Sequence, residues 1–309
     1  MAQTPLDRAQ SRMRERGIAE QAVELFAHYY EQARSGVTGI IREDDIAPLQ
    51  RPDLLIDAEV DPDAAGAALA QTVLIKLNGG LGTSMGLDRA KSLLSVRDGK
   101  TFLDLQVEQV RYARRTYGVR LPLIFMDSFR TSEDTLAFLA RYPDLAVDGL
   151  PLDFTQSAEP KIHAETFEPV DWPADPELEW CPPGHGDVYI ALQSSGLLDR
   201  LLAAGYRYAS IANGDNLGAG PNATLAGWFA STGAPYAAEV CVRTPNDRKG
   251  GHLAVRRSDG QLILRDTAQT APEELHYFTD EHRHPYFHAN NLWIDLTALA
   301  GRFATHGAV

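Results

Sequence analysis

Cysteine, positive charge and long apolar runs are all scarce in this sequence. Its 309 residues include two cysteines, Cys181 and Cys241, far apart in the chain. That argues against a disulfide scaffold or a cysteine-rich zinc centre and fits a reducing, cytoplasmic compartment. Lysine and arginine number 29 against 42 aspartates and glutamates, a formal charge of −13. A general nucleic-acid binder needs excess basic residues to displace counterions, so nucleic acid is not an expected partner. No apolar run reaches the ~18 residues of a membrane-spanning helix, so no membrane association is expected either. Arg8, Arg12, Arg14 and Arg16 crowd the N-terminus without the apolar core of a secretory signal. Asp7, Glu15 and Glu20 interrupt them, unlike a transit peptide.

What is present is ordinary for a globular protein: 44% hydrophobic and 23% charged residues. A chain of this length buries roughly 75% of its unfolded surface and needs no structural metal to stay folded. Leu6 to Arg34 reads as one helix, with Ile18, Ala22, Leu25, Tyr29 and Ala33 on a stripe and Ser35-Gly36 as its stop. Gly36 to Ala70, with Pro48, Pro52 and Pro62, reads as an irregular linker. The expected organisation is therefore an N-terminal helix and linker over 1–70, followed by a larger domain over 71–309.

From Thr72 onward, strand-like runs alternate with helical patterns. Thr72–Leu77, Leu121–Met126, Arg207–Ala212, Tyr236–Val242 and Phe287–Leu296 are strand candidates. Phe102–Tyr117, Thr131–Arg141, Ser195–Ala204 and Thr224–Ser231 are helix candidates, the first opened by Thr101 and Asp104 as a capping pair. His252–Arg257 and Gln261–Arg265 flank Ser258-Asp259-Gly260, a hairpin signal. The alternation predicts an α/β fold with a mostly parallel sheet covered on both faces. The acid-rich stretch Glu165–Glu179 reads as a surface loop. His282, His284 and His288 lack the spacing of a zinc motif and read as surface or strand residues.

The strongest local feature is Lys76-Leu77-Asn78-Gly79-Gly80-Leu81-Gly82-Thr83-Ser84-Met85-Gly86, directly after the first strand of the alternating region. Ligands of open α/β sheets bind beyond the carboxyl ends of strands. Glycines there let backbone N–H groups approach a phosphate closely. Counting excludes two familiar loops. In a dinucleotide fingerprint the third glycine would come one residue earlier than Gly86, and in a P-loop the lysine would follow the last glycine directly, whereas Lys91 follows Ala90.

This loop and its spaced lysine resemble the nucleotidyltransferase signature of eukaryotic-type UTP–glucose-1-phosphate uridylyltransferases. Five further blocks follow in that family's order: Phe154-Thr155-Gln156-Ser157, Pro182-Pro183-Gly184-His185-Gly186-Asp187, Asn213-Gly214-Asp215-Asn216-Leu217-Gly218, Lys249-Gly250-Gly251 and Asn290-Asn291-Leu292-Trp293, with the glycine loop as the first of the six if Lys91 is counted with it. The resemblance implies a Rossmann-like mixed sheet of the nucleotide-diphosphosugar transferase (GT-A-like) type with an N-terminal helical segment. It implies uridylyl transfer from UTP to glucose 1-phosphate, giving UDP-glucose and pyrophosphate, with Mg²⁺ as cofactor.

Residue roles follow from the same resemblance. Leu77, Asn78, Gly79 and Gly80 would hold base and ribose through backbone groups, and Gly82 would pass the phosphates. Lys91 would pair with those phosphates as the catalytic cation; the family usually has proline before it, where this chain has Ala90 and so a looser approach. Gln156 would read uracil with its amide, Gly184 would approach the uracil edge and His185 the sugar phosphate. Asp215 would hold Mg²⁺, and Gly214 before it would add mobility. Asn213, Gly250, Gly251, Asn290 and Asn291 would border the glucose. A sugar phosphate is largely dianionic at neutral pH, so no protein base is expected, and catalysis reduces to positioning and charge neutralisation.

Two other readings stand beside this one. An N-acetylhexosamine 1-phosphate uridylyltransferase usually carries arginine and leucine where this chain has Ser84-Met85. A non-catalytic or weakly active UTP-binding fragment is suggested because family members continue past the Asn-Asn-Leu-Trp block into a strand with an active-site lysine and a β-helical domain. The 71–309 domain is on that view incomplete at its C-terminus. The sequence leaves the oligomeric state open.

Overall fold

The computed structural model describes residues 3–81 and 89–307. The chain opens with two helices, α1 (Pro5–Glu15) and α2 (Glu20–Arg34), where the sequence predicts one. Gly17 separates them: its φ of +80° is accessible to glycine and strained for other residues. The break also turns the buried face. Ala22, Val23, Phe26 and Tyr30 point inward, whereas Tyr29 and Ala33 of the expected stripe are exposed.

Both helices pack on the segment 158–180, where Met13, Phe26 and Tyr30 share a small core with Ala158 and Trp180. Arg8, Arg12 and Arg16, four residues apart, lie along one face of α1. Arg8 pairs with Glu168, Arg12 with Glu179 at 3.3 Å and Arg16 with Glu177 at 2.7 Å. The Arg16 guanidinium also lies 4.7 Å from the Trp180 ring centre. The acid-rich stretch is thus the counter-surface of the basic N-terminus rather than a free loop, and Glu179 is buried.

The linker reading of Gly36–Ala70 is corrected as well. Strand β1 (Ile46–Pro48) joins the main sheet, and Pro62–Ala70 forms helix α3. The Asp61 carboxylate caps α3 by accepting from the N–H groups of Asp63 and Ala64. Pro62 takes the first helical position, where no N–H is needed. The proline that suggested irregular chain is therefore a helix start.

The alternating region supplies β2 (Thr72–Leu77), β3 (Ser95–Arg97), β4 (Lys100–Thr101), α4 (Phe102–Tyr117), β5 (Leu123–Asp127), α5 (Ser132–Leu139) and β6 (Asp153–Thr155). After these come β7 (Glu159–Pro160), β8 (Trp180–Cys181), α6 (Val188–Ser194), α7 (Leu197–Ala203), β9 (Tyr208–Asn213), α8 (Ala223–Thr232) and β10 (Tyr236–Val242). The described chain closes with β11 (Gly251–Arg256), β12 (Leu262–Asp266), α9 (Leu275–Phe278), β13 (Tyr286–Asp295) and α10 (Leu296–His306). The Thr101–Asp104 capping box opens α4 as expected.

Among the described residues nine strands form the main sheet in the order β1-β11-β13-β9-β2-β5-β6, with β10 on β13 and β12 on β11. Only β9, β2, β5 and β6 run parallel. The other pairings are antiparallel, so the mostly parallel sheet expected from the alternation is a mixed one. The reason is local: β11 and β12 form the anticipated hairpin, and the long β13 runs antiparallel to β9, β10 and β11. Helices cover both faces. Leu74, Leu123 and Phe125 pack against α4, α5 and α8 on one side, and Val73, Ile75 and Ile124 pack against α6 and α7 on the other. Burial on both faces explains why β2 is a continuous apolar run.

At the β1 end, Arg265 is fully buried between Glu43 at 2.5 Å and Glu274 at 2.8 Å. His284 lies in the same cluster, its ring stacked on His252 at 3.9 Å and its Nε2 3.0 Å from Glu43. Burial pushes the His252 imidazolium down to about 3 and lowers that of His284. His284 is therefore an interior residue, not a surface one, while His282 is exposed.

Helices α3 and α8 meet at Gly227, where an added Cβ would lie 2.5 Å from Val60 Cγ1 and 3.0 Å from the Ala65 Cα. Gly227→Leu gains about 1 kcal/mol of helix propensity but drives a whole side chain into this contact, so a net loss of about 2 kcal/mol is expected. A lower urea midpoint with unchanged slope checks it; an unchanged midpoint contradicts the close packing.

Candidate active-site cleft

The four parallel strands end at one level. Leu77 at the end of β2 stands opposite Met126 of β5 and Asn213 of β9, and Asp127 stands opposite Thr155 of β6. A cavity of about 330 Å³ opens just beyond these ends. Each strand contributes to its wall: Leu77–Gly80 from β2, Met126 from β5, Gln156 from β6 and Asn213–Asp215 from β9. Pro182, Gly184 and His185 close one side, Lys91 and Ser92 another. Gly82 lies outside the described residues.

The β2 loop is set by a buried carboxyl beneath it. Asn78 donates its backbone N–H to Met126 at 2.8 Å. Its side-chain amide points down to Asp127 Oδ1 at 2.7 Å and Thr135 Oγ1 at 3.0 Å, so only its backbone faces the cleft. Asp127 Oδ1 accepts from Thr131 and Thr135 too, while Oδ2 has no partner among the described residues. Burial pushes this carboxyl up to about 7 against those hydrogen bonds.

Gln156 lies directly on the glycine loop. A Cβ at Gly79 would fall 1.8 Å from Gln156 Nε2, so a side chain there would displace the carboxamide. The Gln156 carboxamide is buried, and its Oε1 has no hydrogen-bond partner among the described residues; the Ser92 hydroxyl, also lining the cleft, is in the same condition. Such atoms mark places where a ligand can supply the missing bond. Gly184 holds φ +109° ahead of the short turn His185–Asp187. The Asp187 carboxylate accepts from the Ser157 N–H at 2.6 Å and so ties this turn to the Gln156 strand. Burial raises Asp187 to about 6 and neighbouring Glu159 to about 7.

Lys91 returns to the cleft because its N–H donates to Gly80 at 3.2 Å and Ala90 bridges Leu81. Ala90 is fully buried with φ −53°, a value that a proline ring also imposes. Lys91 Nζ is 2.5 Å from Asp215 Oδ2, with both side chains partly exposed. Gly214, expected to add mobility, is pinned instead: its N–H donates to Leu77 at 2.8 Å and its carbonyl accepts from Gln106. A Cβ there would lie 2.9 Å from the Leu77 oxygen.

Ten of the expected residues thus share one cleft: Leu77, Asn78, Gly79, Gly80, Lys91, Gln156, Gly184, His185, Asn213 and Asp215. Gly250, Gly251, Asn290 and Asn291 are not among its lining residues. Gly250 holds φ +104° beneath the Phe287 ring and Gly251 is covered by Leu264, so backbone conformation and close packing explain these glycines. Asn290, at φ +55° beside a bulge in β13, donates to Asn213 Oδ1 at 2.8 Å. Asn291 accepts from Asn216 at 3.1 Å. Met126 and Ser92 were not anticipated: neither carries a charge or a turn signal. Among the described residues no group of three or more His, Cys, Asp or Glu could hold a metal ion. Among the described lining residues Asp215 is the one carboxylate, a donor set suited to Mg²⁺ only if phosphates and water complete the shell.

The family described as UTP--glucose-1-phosphate uridylyltransferase matches residues 22–308. A probable UTP--glucose-1-phosphate uridylyltransferase of Schizosaccharomyces pombe is 38% identical over 259 residues, 82% of this chain and 50% of that protein. The Saccharomyces cerevisiae enzyme of that name is 37% identical over 89% of this chain and 54% of its own length. Among solved structures, a UDP-glucose phosphorylase from Trypanosoma brucei superposes with TM-score 0.91 at 40% identity, covering 97% of this chain and 64% of that one. A variant of Leishmania major UDP-glucose pyrophosphorylase in complex with UDP-glucose gives 0.90 at 39% identity, covering 100% and 67%. The chain spans about half the length of the curated relatives it matches.

The raised Asp127 carboxyl has a pH signature. Between the ordinary aspartate value near ~4 and about 7, the unfolded chain releases this proton and the folded one retains it. Stability contributed by the neutral group is therefore full below that interval and falls as pH rises through it, by about 1.4 kcal/mol per pH unit. Asp127→Asn removes this dependence, so its stability relative to wild type should improve between pH 4.5 and pH 7.5 in denaturation experiments. A constant difference across that range contradicts the burial argument.

Proposed function

The chain belongs to the UTP--glucose-1-phosphate uridylyltransferase family, and from that premise we propose that it binds UTP in this cleft and transfers the uridylyl group to glucose 1-phosphate. The products are UDP-glucose and pyrophosphate. The observation that carries the reading is the Gln156 carboxamide, laid on Gly79 with its carbonyl oxygen unpaired among the described residues. An amide in that position accepts from uracil N3–H and donates to a uracil carbonyl. Gly184, free of a side chain, lets the base edge approach, and the Leu77–Gly80 backbone holds base and ribose.

The charged groups divide the remaining work. Across the cleft Lys91 and Asp215 neutralise each other. The triphosphate takes Lys91 as its partner, which releases the Asp215 carboxylate to hold Mg²⁺. Bound Mg²⁺ supplies charge neutralisation for the phosphate oxygens. His185 faces the sugar phosphate, and Asn213, oriented by Asn290, faces sugar hydroxyls. The sugar-phosphate oxygen attacks the α-phosphorus, the bond to the pyrophosphate oxygen breaks, and pyrophosphate leaves. Because the attacking oxygen is already anionic, no general base is required. An acidic chain with few cysteines suits the cytoplasm, where these two sugar and nucleotide phosphates occur.

Pyrophosphate release with UTP, glucose 1-phosphate and Mg²⁺ tests the reading. Release with glucose 1-phosphate well above that with N-acetylglucosamine 1-phosphate is expected. Lys91→Ala should lower the rate about 10²-fold or more with circular dichroism unchanged. UTP binding without turnover identifies a binding-only chain instead. Gln156→Ala should weaken UTP binding, read by calorimetry, by about 1–3 kcal/mol; unchanged affinity removes Gln156 from the base site.

A further inference from the structure

The loop that carries Asp215 is held by side chains that the proposed chemistry leaves unused. Lys76, on β2 directly before the glycine loop, is 3% exposed. Its Nζ lies 2.7 Å from the Ala219 carbonyl oxygen and 3.5 Å from that of Asn216. Gln106 on α4 donates to the Gly214 carbonyl, and Gln109 donates to that of Leu217 at 2.8 Å. Three buried or half-buried donors thus take carbonyls at positions 214, 216, 217 and 219, on both sides of Asp215. From the opposite side the Gly214 N–H meets Leu77, and the Asn216 amide meets Asn291.

An ammonium at this depth is expensive to maintain. Burial pulls its pKa down to about 8, and the Glu239 carboxylate on β10 is the charge that opposes this shift. Glu239 is itself satisfied by the Trp293 and Asn291 N–H groups. An apolar residue of similar length would fill the same space but leave the Asn216 and Ala219 carbonyls without their donor and Glu239 without its opposing charge. The hydrogen bonds that Lys76 Nζ makes among the described residues all go to one loop, so its effect is concentrated there.

We infer that Lys76 is a positioning residue which, with Gln106 and Gln109, clamps the carbonyl side of the 213–219 loop so that Asp215 is presented to a divalent cation in the cleft. The inference rests on the nucleotide-and-cation reading of that cleft. Loss of the clamp leaves the Asn216 and Ala219 carbonyls without their donor and spreads the positions that Asp215 samples. Gln156 follows β6, and the backbone leading to Gly79 is held separately by the bonds of Asn78 to Met126, Asp127 and Thr135, so the base contacts are unaffected.

Lys76→Met is the test, with Mn²⁺ as the cation probe followed by water proton relaxation in the presence of UTP. The expected result is a Kd for Mn²⁺ raised about tenfold, with UTP affinity in EDTA within twofold of wild type and an unchanged circular dichroism spectrum. Gln109→Met, at the more exposed end of the clamp, should shift Mn²⁺ affinity in the same direction by a smaller factor. It keeps the test decisive if Lys76→Met does not fold. Unchanged Mn²⁺ affinity in the folded variants overturns the inference, as does a parallel fall of Mn²⁺ affinity, UTP affinity and urea midpoint, which marks a general structural role. Wild-type protein that binds neither UTP nor Mn²⁺ overturns the proposed function, and the inference with it.

Discussion

The parallel register of β2 between β5 and β9 is the constraint from which the site follows. Leu77 faces Met126 on one side and Asn213 on the other, so three strands stop at the same height. Backbone groups just past a strand end still need partners when they are buried. Here they find one another: Asn78 donates to Met126, Gly214 to Leu77 and Gln156 to Asp127, each at 2.8 Å. The cleft floor is thus the hydrogen-bond ladder carried one residue further. A slip of one residue in β2 would exchange Val73 and Ile75 with Leu74 between the two cores and break the Asn78–Met126 and Gly214–Leu77 bonds.

Small residues are required where that ladder is crowded. Gly79 leaves room for the Gln156 carboxamide, and Gly214 leaves room for the Leu77 oxygen. Neither position has a positive φ, so proximity rather than backbone freedom demands glycine. Below this floor the polar groups are enclosed. Asp127 stays neutral up to about pH 7 because burial outweighs three donated hydrogen bonds, and Lys76 is enclosed among loop carbonyls. The cleft presents to solvent the partly exposed Lys91–Asp215 pair, whose solvation limits what the ion pair adds to stability and leaves both charges available to a ligand.

The −13 charge is also less uniform than composition suggests. Part of the acid excess is locally matched, as where Arg8, Arg12 and Arg16 meet Glu168, Glu179 and Glu177. That contact docks the first two helices on the segment between Gln156 and Pro182, two residues that line the cleft. The N-terminal region is therefore part of the wall behind the site, and β1 extends the same sheet.

The elements and the first half of the site were legible from sequence because their signals are local. Strand runs, the Thr101–Asp104 cap, the hairpin around Gly260 and the glycine loop each depend on residues a few positions apart. The order of the motif blocks then named the family and ten residues that share the cleft. Other features depend on contacts between distant segments. The split at Gly17, the antiparallel half of the sheet, the interior place of His284 and the packing role of Gly250 and Gly251 could not be read without knowing what lies against them. Gly214 shows the difference most clearly. By itself a glycine between asparagine and aspartate predicts freedom, but Leu77 and Gln106, brought from elsewhere in the chain, hold both its N–H and its carbonyl. Sequence alone determined which chemical groups the chain can offer and which short segments form strands, helices and turns. Tertiary structure decided which groups are buried, which are paired and which remain free for a ligand, because desolvation and hydrogen-bond satisfaction are set by neighbours that no local pattern contains.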